Sequence, residues 1–383
     1  MKKNFYIFIV LGVFFASTFM CTKPKELNAC VIEIDLDKSK QISFTDWFDS
    51  IQVVPLETND QSIIGLSVDV VLNDNLIYIN DGRTATILVF DKNGKFINST
   101  SHLRGQGPNQ YISIIGFDID DLTGNLLIFD AVKIRIYNAN LEPVNEYDTP
   151  NELWKSSKFK SISNDTFLFY NHDREDDTLV NVFSIKEKRI IKKICPFEMG
   201  GEAKKMASAN HLLFYKNNDI ICFKTRFPNN KVYYFDSIKV DFFPKIEFKI
   251  KQKEFTSSEL IKDQDEQYYR GMAYSSEKYA FICDILESDK YYFSLILYRK
   301  KGYINRYDKK FGKNQVVDFM FSDGISLFNP ILTNDNVIYT TIDASMIREF
   351  IENSKYLSEK YKNLLENISE EDNPYIVKFF IKD

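Results

Sequence analysis

Three histidines, His102, His172 and His211, are all that the 383 residues contain. A histidine-rich catalytic metal centre is therefore disfavoured unless carboxylates dominate its ligands. Cysteine is equally sparse. Beyond Cys21 there are only Cys30, Cys195, Cys222 and Cys283, and none forms a CxxC pair or a zinc spacing. The last three sit in apolar runs (RIIKKIC, DIICF, YAFIC) and read as buried free thiols, although one disulfide stays open in an oxidising compartment. No G-x-S-x-G elbow, Walker loop or H-E-x-x-H occurs. Positive charge is also short: the net charge of −5 argues against a phosphate-backbone partner, which needs a concentrated basic face. Glycine is also few, at 14 residues.

Aromatic side chains are abundant. Thirty-three Phe and 22 Tyr favour a β-rich chain with large rings packed between sheets. Residues 73–111 read as one complete sheet unit. Leu76-Ile77-Tyr78-Ile79 is a strand, Ile87 to Phe90 a second, and Asp91-Lys92-Asn93-Gly94 a hairpin turn leading into Lys95-Phe96-Ile97. A turn followed by an apolar strand recurs at 73–76, 123–126, 163–166, 217–220, 275–278 and 333–336, with a mean spacing of about 52 residues. A second strand ending in a polar turn recurs at 87–95, 134–142, 180–188, 232–240 and 293–301.

Six units predict an all-β, six-bladed β-propeller over residues 41–383. The strand in residues 49–58 has no hairpin partner beside it and is expected to close the last blade. Residues 344–370 carry Ile347, Phe350, Ile351, Leu357, Tyr361, Leu364, Leu365 and Ile368. That spacing predicts one amphipathic helix in the last unit, as packing or lid, or as a partner-binding element.

Residues 1–20 read as an export signal. Lys2-Lys3 precedes an apolar run, Phe5 to Ala16, that is shorter than the roughly 20 residues of a spanning helix. Cys21 follows directly, and here the chain resembles a bacterial lipoprotein, in which such a Cys is acylated. Cleavage near Ala16-Ser17 and an uncleaved anchor are the other readings. Residues 21–40 are expected to be a tether, with the only membrane contact through the N-terminal lipid.

DSIQVVPLET (49–58), VFDKNGKF (89–96), RGQGPNQY (104–111) and NPYIVKFF (373–380) occur in this order along the chain. In these pieces the chain resembles the six-bladed β-propeller lipoproteins of anaerobic envelope bacteria, whose architecture is related to NHL-repeat propellers. The resemblance implies the fold and an exported, cell-envelope address. It implies no catalytic residue.

The best site candidate is the loop holding His102, Arg104, Gly105, Gln106, Gly107 and Tyr111. Glycines and a proline set an unusual backbone path, and the Arg104 fork suits carboxylates or sulfates. The same loop also reads as a plain blade-to-blade crossover with Arg104 as a local clamp. Asp118 to Asn125 has oxygen ligands near a Gly but lacks the calcium-loop spacing, so a hairpin turn is expected. His172 to Asp177 reads as a solvated charged loop, with a metal held by His172 beside the acids as the other reading. Trp154 and Tyr268-Tyr269-Arg270 suggest sugar stacking, with core packing as the commoner fate.

No catalytic residue, metal or cofactor is expected. The function expected is non-catalytic binding of a glycan, peptide or envelope protein on one propeller face. The alternatives are a lyase- or lactonase-type propeller enzyme with a metal in the channel, and a protein-interaction scaffold.

Overall fold

The computed structural model describes residues 29–73, 75–173, 176–196, 214–225, 229–254, 279–327, 330–334 and 336–382. The expected leader and Cys21 lie outside these residues. Two strands precede the first blade, β1 (Cys30–Ile34) and β2 (Phe48–Pro55). Blade 1 is β3 (Ser67–Asn73), β4 (Leu76–Asp81), β5 (Thr86–Asp91) and β6 (Phe96–Ser99). Blade 2 is β7 (Gly116–Ile119), β8 (Leu126–Phe129), β9 (Lys133–Tyr137) and β10 (Pro143–Asp148). Blade 3 is β11 (Ser156–Ser161), β12 (Thr166–Asn171), β13 (Val180–Ser184) and β14 (Arg189–Ile194). Blade 4 is β15 (Phe214–Asn217), β16 (Ile220–Lys224), β17 (Lys231–Asp236) and β18 (Asp241–Ile250). Blade 5 is β19 (Phe281–Glu287), β20 (Tyr291–Tyr298), β21 (Lys301–Asp308) and β22 (Lys313–Asp318). Blade 6 takes β23 (Pro330–Asn334), β24 (Val337–Ile342) and β25 (Tyr375–Ile381) from the C-terminal region, and β2 from the N-terminal region as its fourth strand. The six sheets form a six-bladed β-propeller.

Blades stack on both faces, so their middle strands are apolar on both sides, as β8 (LLIF) and β13 (VNVFS) show by burial throughout. Outer strands meet water, as in β10 (PVNEYD), which has no buried residue. The core is divided into six apolar layers, one per blade junction. Between blades 2 and 3, Phe129 meets Phe169 edge-on at 4.9 Å, and Phe159 stacks on Phe169 at 5.4 Å. The many aromatics of the sequence are used in this way.

Closure of the ring follows the expectation: β2 pairs antiparallel with β25 from Phe48↔Ile381 to Pro55↔Tyr375. Gly94 secures the next junction. Its φ is +86°, its carbonyl accepts from Glu57 N–H at 2.8 Å, and a Cβ there would collide with the Pro55 carbonyl. Asn373 ties the same seam. Its side chain accepts from Ile64 N–H at 2.8 Å and donates to the Glu57 and Ser62 carbonyls, both at 2.8 Å, while 2% exposed. Asn373→Ala is expected to cost about 1–3 kcal/mol, because it leaves the Ile64 N–H and the buried Ser62 carbonyl without these partners, while the Glu57 carbonyl keeps the Ser62 hydroxyl at 2.7 Å. A urea midpoint unchanged from the parent would refute this.

Three expectations need correction. Part of the segment read as tether is built into the ring: Cys30–Ile34 adds a fifth strand to blade 4, parallel to β18. Its apolar Ile32 and Ile34 fill the layer between blades 4 and 5.

The single helix is three short ones, α1 (Ala344–Glu352), α2 (Lys355–Lys360) and α3 (Lys362–Leu365). The apolar stripe skips from Ile351 to Leu357, and the position between is a buried Ser354. Ile347, Phe350, Ile351 and Leu357 nonetheless pack into the layer between blades 5 and 6.

In blade 5 the expected repeat is one strand out of step. The stretch 293–301 holds β20 and the turn into β21, and the hairpin matching Asp91–Gly94 is Asp308–Gly312. RYDKKFGK carries that signal, with an Asp starting the turn as in VFDKNGK. The turn expected at 275–278 lies outside the described residues.

Candidate binding face

Each blade has four strands that cross the thickness of the ring in alternating directions. Connections between blades therefore emerge on the same face as those between the second and third strands of each blade. The loop 104–111, the Asn151–Lys155 turn and the helices α1–α3 all share this face. Backbone bonds knit neighbouring connections there, including Thr149 N–H to Val132 O at 2.9 Å and His172 N–H to Lys155 O at 2.9 Å.

Of 16 exposed large apolar side chains among the described residues, nine stand in these connections: Ile63, Leu66, Ile112, Ile115, Val132, Trp154, Met320, Met346 and Tyr356. Scattered exposed apolar residues need no explanation, and these connections are the longer loops of the ring, so the residue that stands out is Trp154, the largest of the nine. Trp154 is 57% exposed on a short 3-10 turn. That corrects the expectation of core packing: Leu153, its neighbour, takes the inward position at 0%. Tyr268, Tyr269 and Arg270 lie outside the described residues.

The RGQGP loop is braced from within. Gly105 N–H bonds Tyr111 O at 2.9 Å, and Tyr111 N–H bonds Leu103 O at 3.0 Å. Gln110 folds back so that its Oε1 accepts from Gly107 N–H at 2.9 Å. A Cβ on Gly105 would displace the end of the Gln110 side chain from its bond to Gly107. His102, Arg104 and Gln106 are exposed, and no carboxylate pairs with Arg104 among the described residues. Tyr111 differs from expectation. It is 0% exposed, its hydroxyl is shared with the Thr100 hydroxyl, and burial pushes its pKa up to about 12. It supports the loop from below and cannot touch a ligand.

The inner strands carry charge that is already matched. Lys158 pairs with Asp69 across the ring, Lys160 Nζ lies 3.0 Å from Asp118 and 3.4 Å from Asp121, and Lys216 Nζ lies 3.7 Å from Asp121. Burial works against the Lys160 ammonium, but the two carboxylates outweigh it and raise its pKa. Asp120 closes the expected hairpin turn, accepting from Leu122 and Thr123 N–H at 3.0 and 2.8 Å. Among the described residues no three His, Cys, Asp or Glu side chains converge as a metal site. Asp173 and Asp176 of the charged loop bind Lys155 at 2.8 Å and Lys193 at 3.1 Å.

The described cysteines are free thiols. Cys222 is buried and Cys283 half-buried, but Cys195 is exposed, because it follows the end of β14 at Ile194.

Sequence reading found the RGQGP loop but missed the other apolar positions of this face. Ile63 and Leu66 flank a glycine in a loop, which was their only signal. No helix among the described residues is long and apolar enough to cross a membrane.

A sequence family described as Domain of unknown function (DUF4934) matches residues 29–380. No curated protein matches. Among solved structures, a Bacteroides fragilis protein described as exported superposes with a TM-score of 0.73 at 18% identity, covering 92% of this chain and 100% of that one. A member of the DUF4221 family from Bacteroides vulgatus gives 0.54 at 11% identity, covering 91% and 99%. At these identities the likeness concerns the fold.

Proposed function

Given that the chain belongs to the DUF4934 family, we propose that it is a non-catalytic propeller of the cell envelope that binds a peptide or protein segment on the face carrying the blade-to-blade loops. The observation that carries this reading is that Trp154, 57% exposed, and eight other exposed apolar side chains stand in the connections of that face. Interface cores are rich in Trp, Tyr, Met and Arg, and Trp154, Tyr356, Met320, Met346 and Arg104 supply these types. The envelope address is supported by the leader pattern before Cys21 and by the exported description of the Bacteroides fragilis protein. Acylation of Cys21 would tether the ring without inserting it. A glycan is the second reading, favoured by Trp154, whose open ring offers a stacking surface.

A thermal-shift panel of envelope peptides and glycans tests this on the leaderless protein. A ligand at 100 times its Kd should stabilise by about 2.7 kcal/mol. Arg104→Ala and Trp154→Ala are each expected to keep the unliganded melting temperature and to weaken binding by roughly tenfold or more, as truncation of an interface anchor does. A shift that survives both substitutions places the ligand elsewhere, and a panel with no shift removes the reading.

A further inference from the structure

The N-terminal segment wraps the outer rim unevenly. It covers the edge of blade 4 with β1 and completes blade 6 with β2. Between them it passes the outer strand of blade 5, β22, and pairs with it only at Lys40↔Val317. Lys40 N–H donates to Val316 O at 3.1 Å, and Asp318 N–H donates to Lys40 O at 3.3 Å. Even-numbered residues of β22 thus turn their backbone groups outward. By strand alternation the N–H and C=O of Asn314 face the same way, while its side chain donates to the Glu33 carbonyl of the strap. Between strap and strand lies a groove of about 760 Å³, within the range of ligand-sized clefts, roughly 300–1,000 Å³.

The charges in this groove are unevenly matched. Arg306 lies over two rings, its guanidinium carbon 4.7 Å from the Trp47 centroid and 4.8 Å from that of Tyr291. Gln315 Oε1 orients both partners, accepting from Trp47 Nε1 at 2.9 Å and from Arg306 at 3.3 Å. Among the described residues Arg306, Lys40 and Lys313 form no ion pair, although Asp308 and Asp46 lie near enough to Arg306 to favour its charge. The acids of the groove are mostly occupied. Asp35 binds Lys251 at 3.0 Å, and Asp308 caps its own turn through Lys310 and Phe311 N–H, both at 2.9 Å. Only Glu33 is left over. A planar, always-charged, pre-oriented fork beside two spare ammonium groups fits a carboxylate. The outward backbone of the exposed Asn314, beyond the Lys40 bridge, fits an extended backbone.

We infer that the groove between the N-terminal strap and β22 is a second binding site, which takes an extended acidic peptide by strand addition, with a side-chain carboxylate on Arg306. The outward N–H and C=O of Asn314 favour a polypeptide over a sulfated sugar, which has no backbone to pair.

Fluorescence polarisation on the leaderless protein tests this with three labelled probes: Val-Glu-Val-Glu-Val, its counterpart Val-Lys-Val-Lys-Val, and the acidic peptide with every amide N-methylated. Only the first is expected to bind. Arg306→Gln and Lys313→Glu should each weaken it by about tenfold, the scale of a lost charge-assisted bond. Lys313 is exposed, so its reversal reads out the site even if Arg306→Gln perturbs packing. Trp154→Ala should leave binding unchanged, which separates this site from the loop face. Equal binding of acidic and basic probes, survival of N-methylation, indifference to Lys313→Glu, or no binding of any probe would each overturn the inference. So would binding of dextran sulfate in place of the acidic peptide.

Discussion

A protein lacking residues 29–55 should fail to form the cooperative ring. β2 supplies the fourth strand of blade 6, and Phe48, Ile51, Val53 and Val54 are all buried at its two faces. Each large buried apolar side chain stabilises by roughly 1.5–3 kcal/mol. Four of them sum to about the whole net stability of an ordinary domain, ~5–15 kcal/mol. The loss is compounded in two ways. β25 is left as an exposed apolar edge, open to pairing with other chains. Trp47, 1% exposed and edge-on to Phe293 at 6.1 Å and Phe321 at 5.8 Å, leaves the layer between blades 5 and 6. Calorimetry should show no single sharp transition, and size-exclusion chromatography should show soluble oligomers. A monomer that melts like the parent would mean that the ring closes without its N-terminal strand.

Glu287→Ala is the second large loss. Glu287 ends the inner strand of blade 5, and its side chain is 1% exposed. Lys245 Nζ reaches its two oxygens at 2.8 and 2.9 Å, Lys309 Nζ lies at 2.8 Å, and the Tyr215 hydroxyl donates at 2.8 Å. Truncation would leave two partly buried ammonium groups without their anion, which costs about 3–5 kcal/mol for a buried pair that is broken on one side. Glu287→Gln tests charge separately from shape and should lose a smaller part.

The same group sets a pH dependence. Burial alone would raise its pKa, but Lys245 and Lys309 outweigh burial and hold it below its ordinary value of 4.5. A carboxyl whose folded pKa lies below the unfolded one contributes stability that is fully present above the unfolded value. That contribution fades as the pH falls from there through the folded pKa. Urea midpoints measured from pH 7 down to pH 3 should therefore drop in the parent, and the drop should be shallower in Glu287→Gln. Parallel curves would show that Glu287 does not titrate as described.

Much of the ring was legible in the chain because its signals are local. A blade needs short apolar strands and tight polar turns, and both are written in consecutive residues, as at Asp91–Gly94. The fifth unit went out of step for a local reason too. The long apolar run YYFSLILY looks like the third strand of the other units, and its RKK ending looks like their third hairpin. The end of the expected tether was misread because Cys30–Ile34 has no adjacent partner. Its partner, β18, lies more than 200 residues away, and no spacing rule connects them.

The sites followed a different rule. Arg104 could be singled out because two glycines and a proline mark its loop, yet its neighbour Tyr111 turned out to be support rather than surface. Whether an aromatic points into a layer or into water depends on which blade lies beside it. Trp154 and Leu153 are adjacent in sequence, and only the packing decides that Leu153 goes in and Trp154 stays out.

By itself, the sequence determined the number of blades, the strand that closes the ring and the loop most unlike ordinary turns, since each rests on backbone geometry that a few neighbouring residues impose. Tertiary structure alone decided the apolar face, the Glu287 cluster and the Arg306 groove. Each of these gathers side chains from different strands or loops of the ring, and their placement follows from the stacking of the blades and the path of the N-terminal strap.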